Sequence, residues 1–161
     1  MNIANETVRT LTDSETRAIF RDARIVAIRW DIIPWSLVLD LETPTSEKSG
    51  ADLRRAWVAF QGVSTLSFDA LEARLPTGIS ITSEMWIDAL PDKQDFQRAT
   101  FQTLAIEESS TEARTREVVI VCKQIKGLVS VAASVGDGIG LSWQARNSLA
   151  SDEQLRECLC E

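Results

Sequence analysis

Apolar residues recur at every second position along several segments of this chain, and this period constrains the fold more than any other feature. Val26, Ile28 and Trp30 alternate with other side chains in one segment, and Leu37 and Leu39 do so in the next. Side chains of a β-strand point alternately to its two faces, so a period of two indicates strands with one face in a core. The residues predicted to be mainly buried are Val26, Ile28, Trp30, Leu37, Leu39, Val58, Phe60, Leu66, Phe68, Ile120, Val131, Leu141 and Trp143.

Turn and cap residues divide these runs into elements. Pro34 separates the first two runs and predicts a β-hairpin, and Gly62 interrupts another pair of runs and predicts a bulge or tight turn. Thr12 or Asp13 is a typical first cap of a short helix that extends to Ala23. Ser151 can cap a final helix. The segment Glu84–Leu90 is compatible with either a short helix or a strand.

Together these signals predict one α+β, mainly β domain over residues 1–161. We expect an antiparallel sheet, a sandwich or a partly open barrel of about eight strands, with short N- and C-terminal helices. A domain of 161 residues is long enough for a substantial core, since it buries roughly 70% of its unfolded surface. Residues 1–11 are polar and are expected to be flexible.

The charge and cysteine content narrow the partners and the compartment. Acidic residues outnumber basic ones by 24 to 17, which gives a net charge of −7. Nucleic-acid binding depends on Lys and Arg contacts to phosphate, so this balance argues against a nucleic-acid partner. No apolar run is long enough to span a membrane and the first residues do not form a signal peptide, so no membrane partner is expected. Three cysteines in an odd set favour a reduced, cytoplasmic protein.

The chain contains no histidine and no tyrosine, which excludes several kinds of catalytic site. Ser–His–Asp and Cys–His arrangements and histidine-containing zinc sites need an imidazole. Cys122, Cys158 and Cys160 provide fewer ligands than the four of a structural zinc site, so we interpret Cys122 as a core residue and the other two as members of an amphipathic terminal segment. We therefore predict that the protein is not an enzyme and holds no cofactor and no metal.

The tryptophans divide by their sequence neighbours. Trp30, Trp35 and Trp143 share strand faces with aliphatic residues, which favours a core position. Trp57 lies on the face opposite Ala56 and Val58, with Arg55 on its own side, so it is expected to be half-exposed. An exposed tryptophan beside an arginine is typical of an anchor in a protein–protein interface.

The stretch "RRAWVAFQGVSTLSF", Arg54 to Phe68, is an alternating strand that ends in Phe-x-Gly-Val and continues as x-x-Leu-x-Phe. It is preceded by a tryptophan-containing strand, a short connection, the strand "SLVLDLE" and a polar loop. Over residues 24–70 this order resembles small all-β immunity proteins of bacterial polymorphic toxin systems. The resemblance implies a non-catalytic inhibitor that binds a cognate toxin and occludes its active surface, often through acidic side chains.

A basic protein partner such as a cognate toxin would approach the acidic, polar segments of the chain. The residues expected to bind it are Glu42, Glu47, Trp57, Glu107, Glu108 and Glu112. The alternative is a structural or adaptor domain that acts through homodimerisation, by a tryptophan-bearing sheet face or an edge strand. The two hypotheses differ in whether the essential partner is a toxin or a second copy of the chain.

Overall fold

A computed structural model describes residues 2–3, 6–44, 53–68, 79–106, 113–130 and 152–160. These residues form eleven strands and two short helices. The strands are β1 (Asn2–Ile3), β2 (Glu6–Thr10), β3 (Arg24–Trp30), β4 (Leu37–Pro44), β5 (Leu53–Gln61), β6 (Thr65–Phe68), β7 (Ile79–Ile81), β8 (Trp86–Ala89), β9 (Gln97–Ile106), β10 (Ala113–Cys122) and β11 (Gln124–Ser130). The helices are α1 (Asp13–Ala18) and α2 (Asp152–Leu159).

The strands form an antiparallel sheet in the order β1-β2-β11-β5-β4-β3-β7-β9-β10-β6, with β8 also paired to β9. The predicted hairpin around Pro34 is the pair β3–β4, in which Ile28 lies opposite Leu39. The predicted mainly β, antiparallel α+β fold is thereby confirmed. Segment 84–90, for which helix and strand were both open, contains β8, because Trp86–Ala89 pairs residue by residue with β9.

The sheet bends between β5 and β6 and, on the neighbouring segment, between β10 and β11, where β5 pairs with β11 and β6 pairs with β10. Gly62 adopts a left-handed backbone with φ of 66° between β5 and β6, as the predicted bulge or turn requires. The adjacent β10–β11 segment bends at Lys123, and the ladder continues across the bend through Lys123 N–H to Gln61 O (2.9 Å) and Ser64 N–H to Val121 O (2.8 Å). A Cβ at position 62 would lie 3.0 Å from the Lys123 side chain. The bend curves the sheet around its own inner face.

The inner face encloses the main core. It collects buried side chains from seven strands together with Phe20, which follows α1; representative members are Ile25, Leu39, Val58, Ile79, Phe101, Ile120 and Val129. The Phe20 ring contacts Phe60 edge-on (centroids 6.5 Å apart) and lies 4.8 Å from the Phe101 ring. Phe20 therefore packs against both halves of the curved sheet. Aromatic burial of this kind contributes about 2–3 kcal/mol per ring.

Helix α1 begins where the sequence predicts and ends earlier. Thr12 Oγ1 accepts a hydrogen bond from Glu15 N–H (3.2 Å) and the Glu15 carboxylate accepts one from Thr12 N–H (2.8 Å), which is a complete capping box. The helix ends at Ala18 instead of Ala23, and the following turn, with Asp22 at a φ of 63°, directs Phe20 into the core. Burial of Phe20 thus takes precedence over continued helix.

The core prediction is correct for part of its residues. Leu37, Leu39, Val58, Phe60 and Ile120 are buried as predicted. Val26, Ile28 and Leu66 are half-buried, and Trp30 is 48% exposed. Val131, Leu141, Trp143 and the Phe68 side chain lie outside the described residues.

The error in β3 has a local cause. Its pairing with β4 shifts by one residue between Ile25 and Ala27, so Val26 is the extra residue of a β-bulge. A bulge reverses the side-chain alternation, and both Ile25 and Ile28 consequently face the core. Strict alternation therefore predicted the wrong buried residue on the N-terminal side of β3, where Ile25 and not Val26 is buried.

Two other segments depart from the sequence interpretation. Residues 1–11 were expected to be flexible, but Glu6–Thr10 forms β2 and pairs with β11, with Arg9 opposite Val129. A continuous apolar run such as Val118–Cys122 is typical of a strand covered on both faces. Its inner residues are buried, whereas Val119 and Val121 on the outer face are half-exposed.

Helix α2 covers part of the outer face. Its apolar residues Leu155, Cys158 and Leu159 form a second cluster with Val38, Trp57, Ala59 and Leu128 of the sheet. Arg156 Nε donates a 2.6 Å hydrogen bond to Ile32 O. Lys126 Nζ donates to the last helical carbonyls, Cys158 O (3.2 Å) and Leu159 O (3.4 Å), where a positive charge is favoured by the helix dipole.

Candidate functional site

Two of the six residues predicted to bind a partner are buried, so their predicted exposure was wrong. Trp57 is 0% exposed because the apolar side of α2 lies over it. Glu42 is 3% exposed because it belongs to β4, between Arg24 of β3 and Arg55 of β5 in the strand register, and not to a loop. Glu47, Glu107, Glu108 and Glu112 lie outside the described residues.

The outer face near Trp57 carries an ordered set of charges. Asp40 lies opposite Trp57 in the register and is buried, and Arg29 binds its carboxylate through Nη2 (2.7 Å) and Nε (3.1 and 3.2 Å). The Arg55 guanidinium lies 5.7 Å from the centre of the Trp57 ring. Opposite charges on neighbouring strands stabilise a sheet, and a buried carboxylate needs such partners. These residues hold the outer face together beneath the surface.

Two of the exposed tryptophans were instead expected in the core: Trp35 is 76% exposed and Trp30 is 48% exposed. Trp86, for which no position was predicted, is 51% exposed. Trp30 and Trp35 lie at the two ends of the connection between β3 and β4, and we call residues Trp30–Ser36 the tryptophan tip. The sequence contains one signal for this outcome: a tryptophan directly after Pro34 in a turn has no neighbouring strand to cover it.

The backbone of the tryptophan tip is held in an unusual conformation. Asp31 and Trp35 have φ values of 56° and 61°, a region that bulky side chains rarely occupy. Asp31 N–H donates to Ser36 O (3.1 Å) and Ser36 N–H donates to Ile33 O (3.0 Å). The buried Ser36 hydroxyl accepts from Ile33 N–H (3.0 Å) and donates to Ile33 O. These bonds fix the turn that projects Trp35 outwards.

The tip is also joined to the rest of the fold at two points. Val63 N–H, next to the bend at Gly62, donates to Trp35 O (2.8 Å). Arg156 of α2 donates to Ile32 O, and the Ile32 side chain is buried against α2. The same helix exposes Glu153 and Glu157. The result is a rigid apolar projection with acidic side chains on the neighbouring helix.

A second exposed surface lies on the outer face of four strands, and we call it the outer groove. Its volume is about 590 Å³. It is lined by Thr65, Trp86, Asp88, Arg98, Thr100, Glu117, Val119 and Val121. Cross-strand register aligns Trp86 with Thr100 and Val119, and aligns Asp88 with Arg98 and Val121. Val119 and Val121 give the groove an apolar floor with charged residues around it.

Within the described part of the chain, no group of three or more Asp, Glu or Cys side chains is arranged to hold a metal ion. Burial raises the pKa of the Cys122 thiol to about 12, so it is protonated at neutral pH. Neither helix α1 nor helix α2 is long and apolar enough to cross a membrane. Both surfaces offer side chains suited to binding.

Comparison with protein-family models, with curated proteins and with solved structures finds no match for this chain. The tryptophan tip and the outer groove are therefore the features on which a function can be proposed.

Proposed function

We propose that this protein is a non-catalytic binding domain of the immunity type, in which the tryptophan tip enters an apolar pocket on a basic toxin and the bound domain occludes the toxin's active surface. The observation that carries this proposal is Trp35, 76% exposed at a φ of 61°. A bulky residue in this backbone region costs about 1–3 kcal/mol, and such strain concentrates at functional sites. Tryptophan is the residue most enriched among interface anchors.

Charge supports a basic partner. The chain has a net charge of −7, Asp31 of the tip is exposed, and helix α2, whose Arg156 donates to Ile32 of the tip, exposes Glu153 and Glu157. Complementary charge accelerates encounter and fixes orientation, while a buried aromatic anchor slows dissociation. The resemblance of residues 24–70 to immunity proteins supports the same class of partner, and the tip lies within that segment.

The test uses the product of a toxin gene adjacent to the gene of this protein. The unmodified chain should bind the toxin and protect cells that express it. Trp35→Ala should weaken binding by about 30-fold or more, because an anchor contributes at least 2 kcal/mol. Trp86→Ala is the matched control, since it also removes an exposed indole but on the outer groove. Equal losses in both variants, or no loss with Trp35→Ala, would contradict the proposed role of the tip.

Self-association is the second candidate function, and the outer groove is the observation that favours it. The groove combines Trp86 with the apolar side chains of Val119 and Val121, and a second copy could cover it. Sedimentation equilibrium distinguishes the two functions. An adaptor should dimerise through Trp86 and lose the dimer in Trp86→Ala but not in Trp35→Ala. An immunity-type inhibitor should retain toxin binding in Trp86→Ala.

A further inference from the structure

A separate cavity of about 420 Å³ lies between helix α1 and the inner face of the sheet near Pro44. Its wall combines two kinds of side chain. The apolar part includes Leu11, Ile19, Pro44 and Val129, and the charged part consists of Arg9, Glu15, Arg21, Asp22 and Arg54. Volumes of this size accommodate small-molecule ligands, and apolar side chains combined with charged groups that fix the orientation of a ligand are typical of such sites.

Arg54 is the residue that calls for a ligand. It lies opposite Thr43 in the β4–β5 register, its side chain is half-buried, and its Nε is buried without a hydrogen-bond acceptor. Throughout the described ranges the Arg54 side chain forms neither a hydrogen bond nor an ion pair. A buried guanidinium donor without an acceptor is unfavourable, and an anion in the cavity would supply one.

The other charges of the cavity determine which anion fits. Arg9 donates hydrogen bonds to both carboxylate oxygens of Glu15, at 3.0 Å each. The hydrogen bond from Thr12 N–H lowers the pKa of the Glu15 carboxyl most, and the hydrogen bond from Arg9 lowers it further. The Arg21 side chain is exposed at the cavity edge and makes no ion pair in the described structure. Three arginines and two carboxylates thus line the cavity, which leaves its wall one positive charge in excess. One bound group with a single negative charge would balance that excess.

We propose that this cavity binds a small carboxylate with a short apolar chain, its head group held by Arg54 and Arg21 and its chain packed against Ile19 and Val129. The planar guanidinium group matches a carboxylate in a two-pronged hydrogen-bonded pair. The site is independent of the tryptophan tip, which lies at the β3–β4 connection.

Calorimetric titration of the full chain with hexanoate tests the proposal, with hexanamide as the uncharged probe of the same shape. Hexanoate should bind saturably with one site and hexanamide should not bind. Arg54→Gln and Arg21→Gln should each weaken hexanoate binding by about tenfold, the effect of losing one charged hydrogen bond. Arg98→Gln is the matched control, because Arg98 lines the outer groove, and it should leave binding unchanged.

Glu15→Gln provides a variant with the opposite effect. Glutamine maintains the capping box of α1 but removes a negative charge from the cavity and releases Arg9, so hexanoate should bind about threefold more tightly. Equal binding of hexanamide, absence of saturable binding, or unchanged affinity in Arg21→Gln would overturn the proposal. Arg21 is exposed, so its variant decides the matter even where Arg54→Gln proves unfolded by circular dichroism. Tighter binding of inorganic phosphate than of hexanoate would contradict the proposal that Ile19 and Val129 bind the apolar chain of the ligand.

Discussion

At the scale of single residues, the indole of Trp57 lies fully buried between β5 and α2, yet its Nε1 makes no hydrogen bond to any residue in the described ranges. Arg55 approaches the ring face at 5.7 Å, which is a distance for attraction between a cation and an aromatic ring. The residue contributes through its area and shape more than through its polar group. Its role is therefore to attach α2 to the sheet.

We expect Trp57→Ala to destabilise the protein by about 3–5 kcal/mol, as large-to-small changes of buried aromatics do. Trp57→Phe should be milder, because it retains most of the ring contact and removes a buried donor without an acceptor. Guanidinium unfolding curves measure both variants. A Trp57→Ala protein as stable as the unmodified chain, with weakened toxin binding, would restore Trp57 as an interface residue.

The buried Cys122 thiol should make the free energy of unfolding decrease as pH rises through the alkaline range. Burial raises its pKa from 9.0 to about 12 in the folded chain. A raised pKa means that the unfolded chain releases its proton first, so the stabilising contribution is complete below pH 9 and is lost progressively as pH rises towards 12. Across this pH range, the Cys122→Ala protein should lose less stability than the unmodified chain, as measured by urea unfolding. Parallel pH profiles for the two proteins would show that the thiol does not titrate as expected.

Residue exposure was the property least accessible to sequence. Alternation correctly identified Leu39 and Phe60 as core residues, because neighbouring strands cover every inward position in the middle of a sheet. It failed for Trp30, which pairs with Leu37 at the end of β3 where no further strand covers it. It failed for Trp57 because the cover is α2, which lies about a hundred residues away in sequence. Exposure at a sheet face depends on what packs on it, and a local pattern does not contain that information.

At the scale of elements, the contact between α1 and β11 depends on a glycine. A Cβ at Gly127 would lie 2.6 Å from Thr16 Oγ1 and 3.1 Å from Leu11 Cδ1. Leu11 N–H also donates to Gly127 O (2.8 Å), so the chain entering α1 lies directly against the strand. Thr16 is tied in turn to Thr12 O by its hydroxyl (2.8 Å). Helix α1 and strand β11 are therefore in close contact, and they cannot move apart without losing the hydrogen bond between Leu11 and Gly127.

Gly127→Ala should destabilise the fold by about 1–3 kcal/mol through overpacking. Gly127→Ala combined with Thr16→Ser, which removes the Thr16 methyl group but not the hydroxyl closest to the new Cβ, should recover only part of the loss. Thr16→Ala in the same background should recover more, because it removes the 2.6 Å clash itself. Denaturant midpoints rank the three proteins. Equal midpoints for Gly127→Ala and the unmodified chain would contradict the close approach of α1 and β11.

Elements were easier to predict than their partners. The cap at Thr12 and the bend at Gly62 follow from local chemistry, and each lies where the sequence indicates. Strand β2 was missed because five residues with one clear apolar position, Val8, give a weak signal, and its formation depends on pairing with β11. The cavity beside helix α1 was missed for a related reason: Arg21 lies in the turn after α1 and Arg54 lies in β5, and only the packing of the α1 segment on the sheet brings them to one wall.

At the scale of the whole molecule, the charge of −7 and the projecting tip act at different stages of binding. Charge acts over a distance on the approach of a partner, and the indole acts only after contact. A surface that uses both should separate their effects in kinetic measurements. Asp31 belongs to the tip and Glu157 lies on helix α2 next to Arg156, which donates to Ile32 of the tip, whereas Asp88 belongs to the outer groove.

We expect association with a basic toxin to slow as salt rises, because the Debye length shortens to about 8 Å at physiological ionic strength, while dissociation changes little. Glu157→Lys should slow association severalfold, and Asp88→Lys, the same charge reversal on the outer groove, should slow it less because it lies away from the contact. Trp35→Ala should instead accelerate dissociation. Stopped-flow mixing over a series of salt concentrations measures both rates. An association rate indifferent to salt, or a slower approach as the main effect of Trp35→Ala, would mean that the acidic surface and the tryptophan tip do not cooperate in this way.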